Sequence, residues 1–154
     1  MPAAPYIRRL RARVGTDLLV LPSVSVLPRD DAGRLLLVRL IDSDRWATIG
    51  GAVEPDESPQ EAAVRETEEE AGVRVSLGPV LAVLGGPDYR VTYPNGDQTA
   101  YVVSVFGAVV TGGEPRPDGE ETSAVRWWDT TTLPYDDMGV ITRAILRSVG
   151  IGSL

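Results

Sequence analysis

Residues 51–73 read GAVEPDESPQEAAVRETEEEAGV, and their local signals predict one helix with defined ends. Ser58 and Glu61 have the spacing of a capping box. Pro59 falls at the first helical position, where its missing N–H costs nothing. Good helix formers run on to Ala71, and Gly72 suits the left-handed residue just past a helix end. On a wheel at about 100° per residue, Glu66, Glu69 and Glu70 fall within an arc of about 100°. Ala63, Thr67 and Ala71 continue round from that arc as a small-residue face that can pack closely on a sheet, with Val64 at its far edge. Glu61 and Glu68 sit on the opposite side.

Like charges three or four residues apart each cost roughly 0.2–0.5 kcal/mol on an open helix, and more when partly buried. Arg65, four residues before Glu69, offsets part of this, but one Arg does not neutralise three carboxylates. A hard divalent cation does. Mg²⁺ takes oxygen ligands, keeps several waters and commonly bridges to substrate phosphate. The other reading of the same pattern is a solvated acidic face.

Working outward from this helix, hairpins mix with helices. Leu18–Leu27 reads as a buried strand, Asp30-Asp31-Ala32-Gly33 as a turn and Arg34–Ile41 as its returning strand. Trp46–Gly51 reads as a short strand running into a glycine turn. After the helix, Val73–Leu84 is strand-like, Gly85–Gly96 a loop, Thr99–Val110 a long Val-rich strand, and Thr111–Thr122 a Gly/Pro/acid loop. Ala124–Trp128 reads as a short strand and Asp136–Val149 as an amphipathic helix. That order predicts an α/β domain with a mixed sheet flanked by helices. Residues 1–16 are expected to form an N-terminal arm or short helix, and 17–154 a single domain.

Composition narrows the chemistry. The chain has 154 residues, no Cys, no His, and 15 cations that are all Arg. Thiolate and imidazole sites, His-based triads and Schiff-base lysines are thereby excluded. Carboxylate, hydroxyl, Arg, Tyr and backbone remain. A net charge of −7 argues against nucleic-acid binding, which runs on basic patches. No apolar run approaches a membrane span, and neither signal peptide nor Cys is present, so the expected location is the cytoplasm.

The spacing Gly51, five residues, Glu57, seven residues, Arg65-Glu66-Thr67-Glu68-Glu69-Glu70-Ala71-Gly72-Val73 resembles the Nudix box, G-x5-E-x7-R-E-U-x-E-E-x-G-U with U aliphatic. All seven fixed letters match, which by average residue usage happens by chance about once in a million chains this long. Thr67 departs, standing where an aliphatic is usual. Trp46-Ala47-Thr48-Ile49-Gly50-Gly51 resembles the family's Trp-x-x-Pro-Gly-Gly lead-in, with Ile49 in place of Pro.

This resemblance implies a Nudix fold, an α/β/α sandwich around a mixed sheet. It also implies Mg²⁺- or Mn²⁺-dependent hydrolysis of a nucleoside diphosphate linked to another moiety. Glu69 and Glu70 would be metal ligands, and Glu66 a further ligand or the residue that orients the attacking water. The carbonyl of Gly50 or Gly51 would add an oxygen. Arg65 would hold the glutamates, with Glu57 pairing to it, and Gly51 and Gly72 would be structural. A distant acidic loop often completes such sites. Asp118, Glu120 and Glu121 are the candidates, with Glu120 preferred. Family members often dimerise, so a homodimer is a further expectation.

Tyr93-Pro94-Asn95-Gly96-Asp97 resembles a segment of bacterial Nudix hydrolases, many labelled ADP-ribose pyrophosphatases, which ranks ADP-ribose or a nucleotide sugar ahead of an oxidised nucleoside triphosphate. A non-catalytic nucleotide sensor ranks behind both. Tyr89 and Tyr93 offer stacking faces for a base and Arg90 a fork for phosphate; the same residues also read as a tight Asn-Gly turn with Tyr93 packed beneath. Trp46 reads as core or as a base platform. Arg39 and Arg45 read as phosphate binders or as surface. One of Trp127 and Trp128 is expected inside and the other toward the cleft or a partner. Arg8–Arg13 reads as a dimer arm, a phosphate-facing helix or a solvated face.

Overall fold

The computed structural model describes residues 4–152; the first three residues of the expected arm and the last two of the chain lie outside them. Three helices, α1 (Pro5–Val14), α2 (Pro59–Ala71) and α3 (Val140–Ser148), accompany eight strands. These are β1 (Leu19–Arg29), β2 (Leu35–Leu40), β3 (Arg45–Ala47), β4 (Ile49–Ala52), β5 (Arg74–Leu84), β6 (Arg90–Thr92), β7 (Gln98–Gly112) and β8 (Thr122–Trp128). All eight join one sheet, with the path β3-β2-β1-β7-β5 and with β4 on β1, β6 on β7 and β8 on β2. β1 and β7 run parallel from Leu19/Thr99 to Arg29/Val109, and every other pairing is antiparallel. The sheet is therefore mixed, as its hairpin-rich sequence predicts.

β2 shows why the sheet is sandwiched. Leu35, Leu36, Leu37 and Val38 are all fully buried. Alternate side chains point to opposite faces of a strand. Leu35 and Leu37 enter a core with Trp46, Met138 and Leu146 of the α3 side. Leu36 and Val38 enter one with Ala62, Ala63 and Ala71 of α2. An unbroken apolar run is the signature of a strand covered on both faces.

The ends of α2 fall where the sequence puts them. Ser58 Oγ accepts the Glu61 N–H and Glu61 Oε2 accepts the Ser58 N–H, at 3.1 and 2.7 Å. Gly72 is left-handed at φ 71°. Thr67, the departure from an aliphatic, is fully buried and satisfies its hydroxyl by donating to the Ala63 carbonyl at 2.7 Å.

Four expectations need correction. Trp46–Gly51 is two strands, β3 and β4, and neither Gly50 nor Gly51 is in a turn. The 85–96 loop contains a 3-10 turn (Pro87–Tyr89) and β6, because Arg90–Thr92 pairs with Gln98–Ala100. The last helix starts at Val140, not Asp136: residues 135–137 form a separate 3-10 turn, and Met138 is extended and bridges to Trp46. Trp127 and Trp128 do alternate, but each packs against a core, Trp128 on the α3 side and Trp127 on the α2 side. At the N-terminus, Arg11 ties α1 to β7 through the Gln98 carbonyl at 2.7 Å, while Arg8, Arg9 and Arg13 are exposed.

Candidate active site

β4 lies antiparallel to β1, with Gly50 opposite Ser25 and Gly51 opposite Val24. Helix α2 packs over this strand. A Cβ on Gly51 would fall 2.3 Å from Glu66 Oε1, and one on Gly50 would fall 2.1 Å from the Val24 carbonyl oxygen. Gly50 is therefore required by close approach to backbone, and a side chain at Gly51 would have to displace the Glu66 carboxyl. The Gly50 N–H donates to Glu70 Oε2 at 3.2 Å.

Glu66 and Glu70, one turn apart on α2, are only 5% and 2% exposed. Ionised carboxylates almost never sit this deep without partners. Arg65 supplies some of the compensation. Its guanidinium reaches Glu57 Oε2 at 3.0 Å, Glu66 Oε1 at 3.0 Å, Glu69 Oε2 at 3.1 Å and the Ala52 carbonyl at 3.1 Å. Those hydrogen bonds hold the Glu57 carboxyl below its usual range. Glu69 is half exposed in its ion pair with Arg65, whereas Glu70 is turned inward.

The third carboxylate in the site comes from the loop before β8. Glu66, Glu70 and Glu121 each present an oxygen within 4.8 Å of the others. Glu120, the loop residue preferred from the sequence, is exposed and outside this trio. The reason is the turn around Asp118, whose Oδ1 accepts the N–H groups of Glu120, Glu121 and Thr122 at 2.8–2.9 Å. Within that turn Glu121, not Glu120, faces the helix. Burial opposes ionisation of Asp118, but these backbone hydrogen bonds outweigh it and hold its pKa low.

The trio carries more negative charge than its surroundings offset. Burial pushes the Glu66 carboxyl up to about 7, against the pull of Arg65. Burial and the neighbouring Glu66 charge push Glu70 well above the usual carboxylate range. Glu121 is raised by burial and by Asp118. Glu121 Oε2 is buried with no hydrogen-bond partner among the described residues. An orphaned buried carboxylate oxygen beside two more carboxylates is an all-oxygen donor set, and it fits Mg²⁺ or Mn²⁺.

The other expected site residues are scattered. Tyr89 is buried in the α3-side core, which removes it as a stacking platform. Trp46 is 8% exposed and packs edge-on to Trp128 at 5.2 Å, so of its two readings the structure takes core. Arg39 spans Asp44 and Asp137 at 2.8 and 2.7 Å and is thereby neutralised. Arg45 reaches the Asp136 carbonyl at 3.3 Å. Arg90 is exposed and pairs with Ala100, which pairs with Val20. Val20 lies five residues before Ser25, the partner of Gly50, or about 16 Å along the strand. Tyr93 closes the β6–β7 turn, accepting the Gly96 N–H on its carbonyl, and its hydroxyl meets that of Tyr101. Asp118, a loop candidate from the sequence, is occupied with the turn's N–H groups instead, and Thr122 was not singled out; the Asp-Gly-Glu-Glu-Thr spacing of an Asx-type turn is the signal for both.

Comparison with known proteins agrees with this geometry. The NUDIX domain family profile matches residues 20–148. A putative 8-oxo-dGTP diphosphatase of Bacillus subtilis (strain 168) is 34% identical over 109 residues, 71% of this chain and 66% of that protein. A MutT-like protein of Streptomyces ambofaciens is 37% identical over 102 residues, 66% of this chain and 58% of that protein. The chain thus spans about two thirds or less of the curated relatives it matches. Among solved structures, a MutT NUDIX hydrolase from Burkholderia pseudomallei superposes with a TM-score of 0.70 at 27% identity, covering 85% of this chain and 98% of that one. An ADP-ribose pyrophosphatase from Streptococcus suis 89-1591 gives 0.60 at 25%, covering 81% and 87%. With its family profile spanning most of the chain and its motif glycines packed against its motif glutamates, this protein belongs to the NUDIX domain family.

Proposed function

We propose that the protein is a divalent-metal-dependent pyrophosphohydrolase that cleaves the anhydride of a nucleoside diphosphate derivative. The observation that carries this reading is the trio Glu66, Glu70 and Glu121, with its buried unpartnered oxygen, set against the Gly50-Gly51 backbone. Glu66, Glu70 and Glu121 would hold Mg²⁺ or Mn²⁺, with Glu69 at the rim and the Gly50 or Gly51 carbonyl as further oxygen donors. A bound divalent ion supplies charge neutralisation for the anhydride phosphates and a more acidic water. Arg65 holds Glu57, Glu66 and Glu69 oriented through its contacts to them and to the Ala52 carbonyl. Because the chain has neither His nor Lys, the proton from water passes to a carboxylate.

ADP-ribose or a nucleotide sugar is the first substrate reading, from the Tyr93–Asp97 resemblance and the likeness to the Streptococcus suis enzyme. An oxidised nucleoside triphosphate is the second, favoured by the Bacillus subtilis relative's name. A screen with Mg²⁺ over ADP-ribose, nucleotide sugars, and ordinary and oxidised dNTPs separates them. AMP plus ribose phosphate supports the first, and dNMP plus pyrophosphate the second. EDTA should abolish either. Turnover that survives EDTA would overturn the metal-dependent reading.

A further inference from the structure

A helix leaves its last four carbonyls without intrahelical partners. On α2 those are Glu68 to Ala71, the turn that carries Glu69 and Glu70. Gly72 N–H takes the Glu68 carbonyl at 3.0 Å. Two of the other three are taken by the acidic loop. Arg116 N–H donates to the Ala71 carbonyl at 2.9 Å. The Thr122 hydroxyl donates to the Glu70 carbonyl at 2.8 Å. Thr122 is fully buried, so this bond is shielded from water. The same hydroxyl accepts the Asp118 N–H at 3.1 Å, and Asp118 Oδ1 gathers the N–H groups of residues 120, 121 and 122. Glu121 is also fixed from its other side, where its carbonyl accepts the Ile41 N–H at 2.9 Å. The backbone of Glu70 and the backbone of Glu121 are thus joined through two side chains that do not belong to the trio.

We propose that Asp118 and Thr122 form a clasp that positions Glu121 against Glu66 and Glu70, and that this clasp sets the affinity of the site for its divalent cation. They are positioning residues: neither is in the trio, and both act through Glu121 and the last turn of α2. The proposal rests on the reading that Glu121 faces the cation. Groups that only orient a metal ligand typically change affinity by about 10–100-fold when removed.

The test is Mn²⁺ titration of the intact protein, followed by electron paramagnetic resonance of free Mn²⁺, with kcat and KM at saturating Mn²⁺. Asp118→Ala and Thr122→Val are each expected to weaken Mn²⁺ binding at least about tenfold, while kcat at saturating Mn²⁺ stays within about threefold of wild type. Asp118→Asn retains the oxygen that accepts the three N–H groups and is expected to bind Mn²⁺ within about threefold of wild type. Thr122→Val keeps the shape of the buried side chain, so it reports even where Asp118→Ala does not fold. Wild-type Mn²⁺ affinity in the folded variants overturns the clasp, as does a large loss in Asp118→Asn, which would assign the effect to charge. Glu121→Gln separates the two levels. Unchanged affinity there overturns the underlying reading of Glu121, whereas a loss there with none in Thr122→Val and Asp118→Ala overturns only the clasp.

Discussion

The α2–β4 junction and the β6–β7 hairpin both attract attention in the sequence, and they differ in how their polar groups are treated. At the hairpin the turn's own polar groups are provided for locally. The Tyr93 carbonyl takes the Gly96 N–H, Asn95 Oδ1 takes the Asp97 N–H, and Tyr89 is sunk in the core. At the junction, three carboxylates crowd together with one Arg, and two buried oxygens, Glu121 Oε2 and the Oγ of Ser25 opposite Gly50, have no hydrogen-bond partner among the described residues. A fold that satisfies its groups is explained by stability alone. A site that buries carboxylates without a partner for every oxygen relieves the charge by taking up a proton or a cation.

Exchanging the charge of one carboxylate is the most direct way to break that contrast. Glu70→Gln should lower the Mg²⁺-dependent rate at least about 100-fold. Its melting temperature should be no lower than wild type in metal-free buffer, because a buried charge is removed while an oxygen remains for the Gly50 N–H. Near-wild-type turnover would end the metal-ligand assignment. Gly51→Ala tests the same junction from the sheet side. Its methyl would overlap the Glu66 carboxyl, and a displacement of about 1 Å at such a site can cost 100-fold in rate, so a loss of about 10–100-fold is expected. If the enzyme accepts Ala there at full rate, close approach is not what the glycine provides. Arg90→Ala and Tyr93→Ala, at the hairpin, should change kcat less than about threefold, since truncating a residue remote from the reacting atoms leaves the transition-state contacts in place. A tenfold fall in kcat at either would erase the difference between the two regions.

The metal-free protein should also show the junction in its pH dependence. Glu66, at about 7, and Glu70 titrate above the usual range in the folded chain. The folded state therefore binds more protons than the unfolded one between about pH 4.5 and 7. Stability from these groups is fully present below the unfolded pKa and is lost as pH rises through the folded one. Glu57 and Asp118 shift the other way, but their titration lies below this window. Melting temperature should fall by about 5–10 °C between pH 5 and 7.5, and saturating Mg²⁺ should flatten that slope. A metal-free profile that is flat, or that rises, would contradict the burial of these carboxylates as charges.

How much of this was legible depends on whether a residue's neighbours are set by local period or by tertiary contact. The capping box sets where α2 begins and reads correctly, whereas the 3.6-residue period groups Glu66, Glu69 and Glu70 but does not separate the exposed Glu69 from the buried pair. The unbroken apolar run of β2 carries the signature of a doubly covered strand, although the sequence reading takes it only as a returning hairpin strand. Gly50 and Gly51 were visible as glycines, yet their reason was not. Turn and close approach have the same sequence signature, and only the Val24 carbonyl beside Gly50 and the Glu66 carboxyl over Gly51 decide between them. Glu121 rather than Glu120 depends on the hydrogen-bonded turn around Asp118, which has no period to read. Tyr89 was misassigned because an aromatic beside a turn looks the same whether it faces solvent or core.

The smallest effect expected is at Glu61, and it is informative because Glu61 shares a helix with Glu70. Glu61 lies in the first turn, where its carboxylate accepts the Ser58 N–H. It stands nine residues before Glu70, or about 13 Å along the axis at 1.5 Å per residue. Glu61→Gln retains an oxygen for the cap and loses only the charge at the positive end of the helix, worth about 0.3–1 kcal/mol. For a domain of this size that lowers the melting temperature by no more than about 4 °C. Turnover should stay within about twofold, since nothing in the trio touches Glu61 and orientation, not helix charge, is what the site needs. Measured beside Glu70→Gln, it separates loss of a glutamate from loss of the site. A large fall in activity at Glu61 would mean that the acidic content of α2 matters as a whole, and that the inward-facing arc of Glu66 and Glu70 has no privileged role.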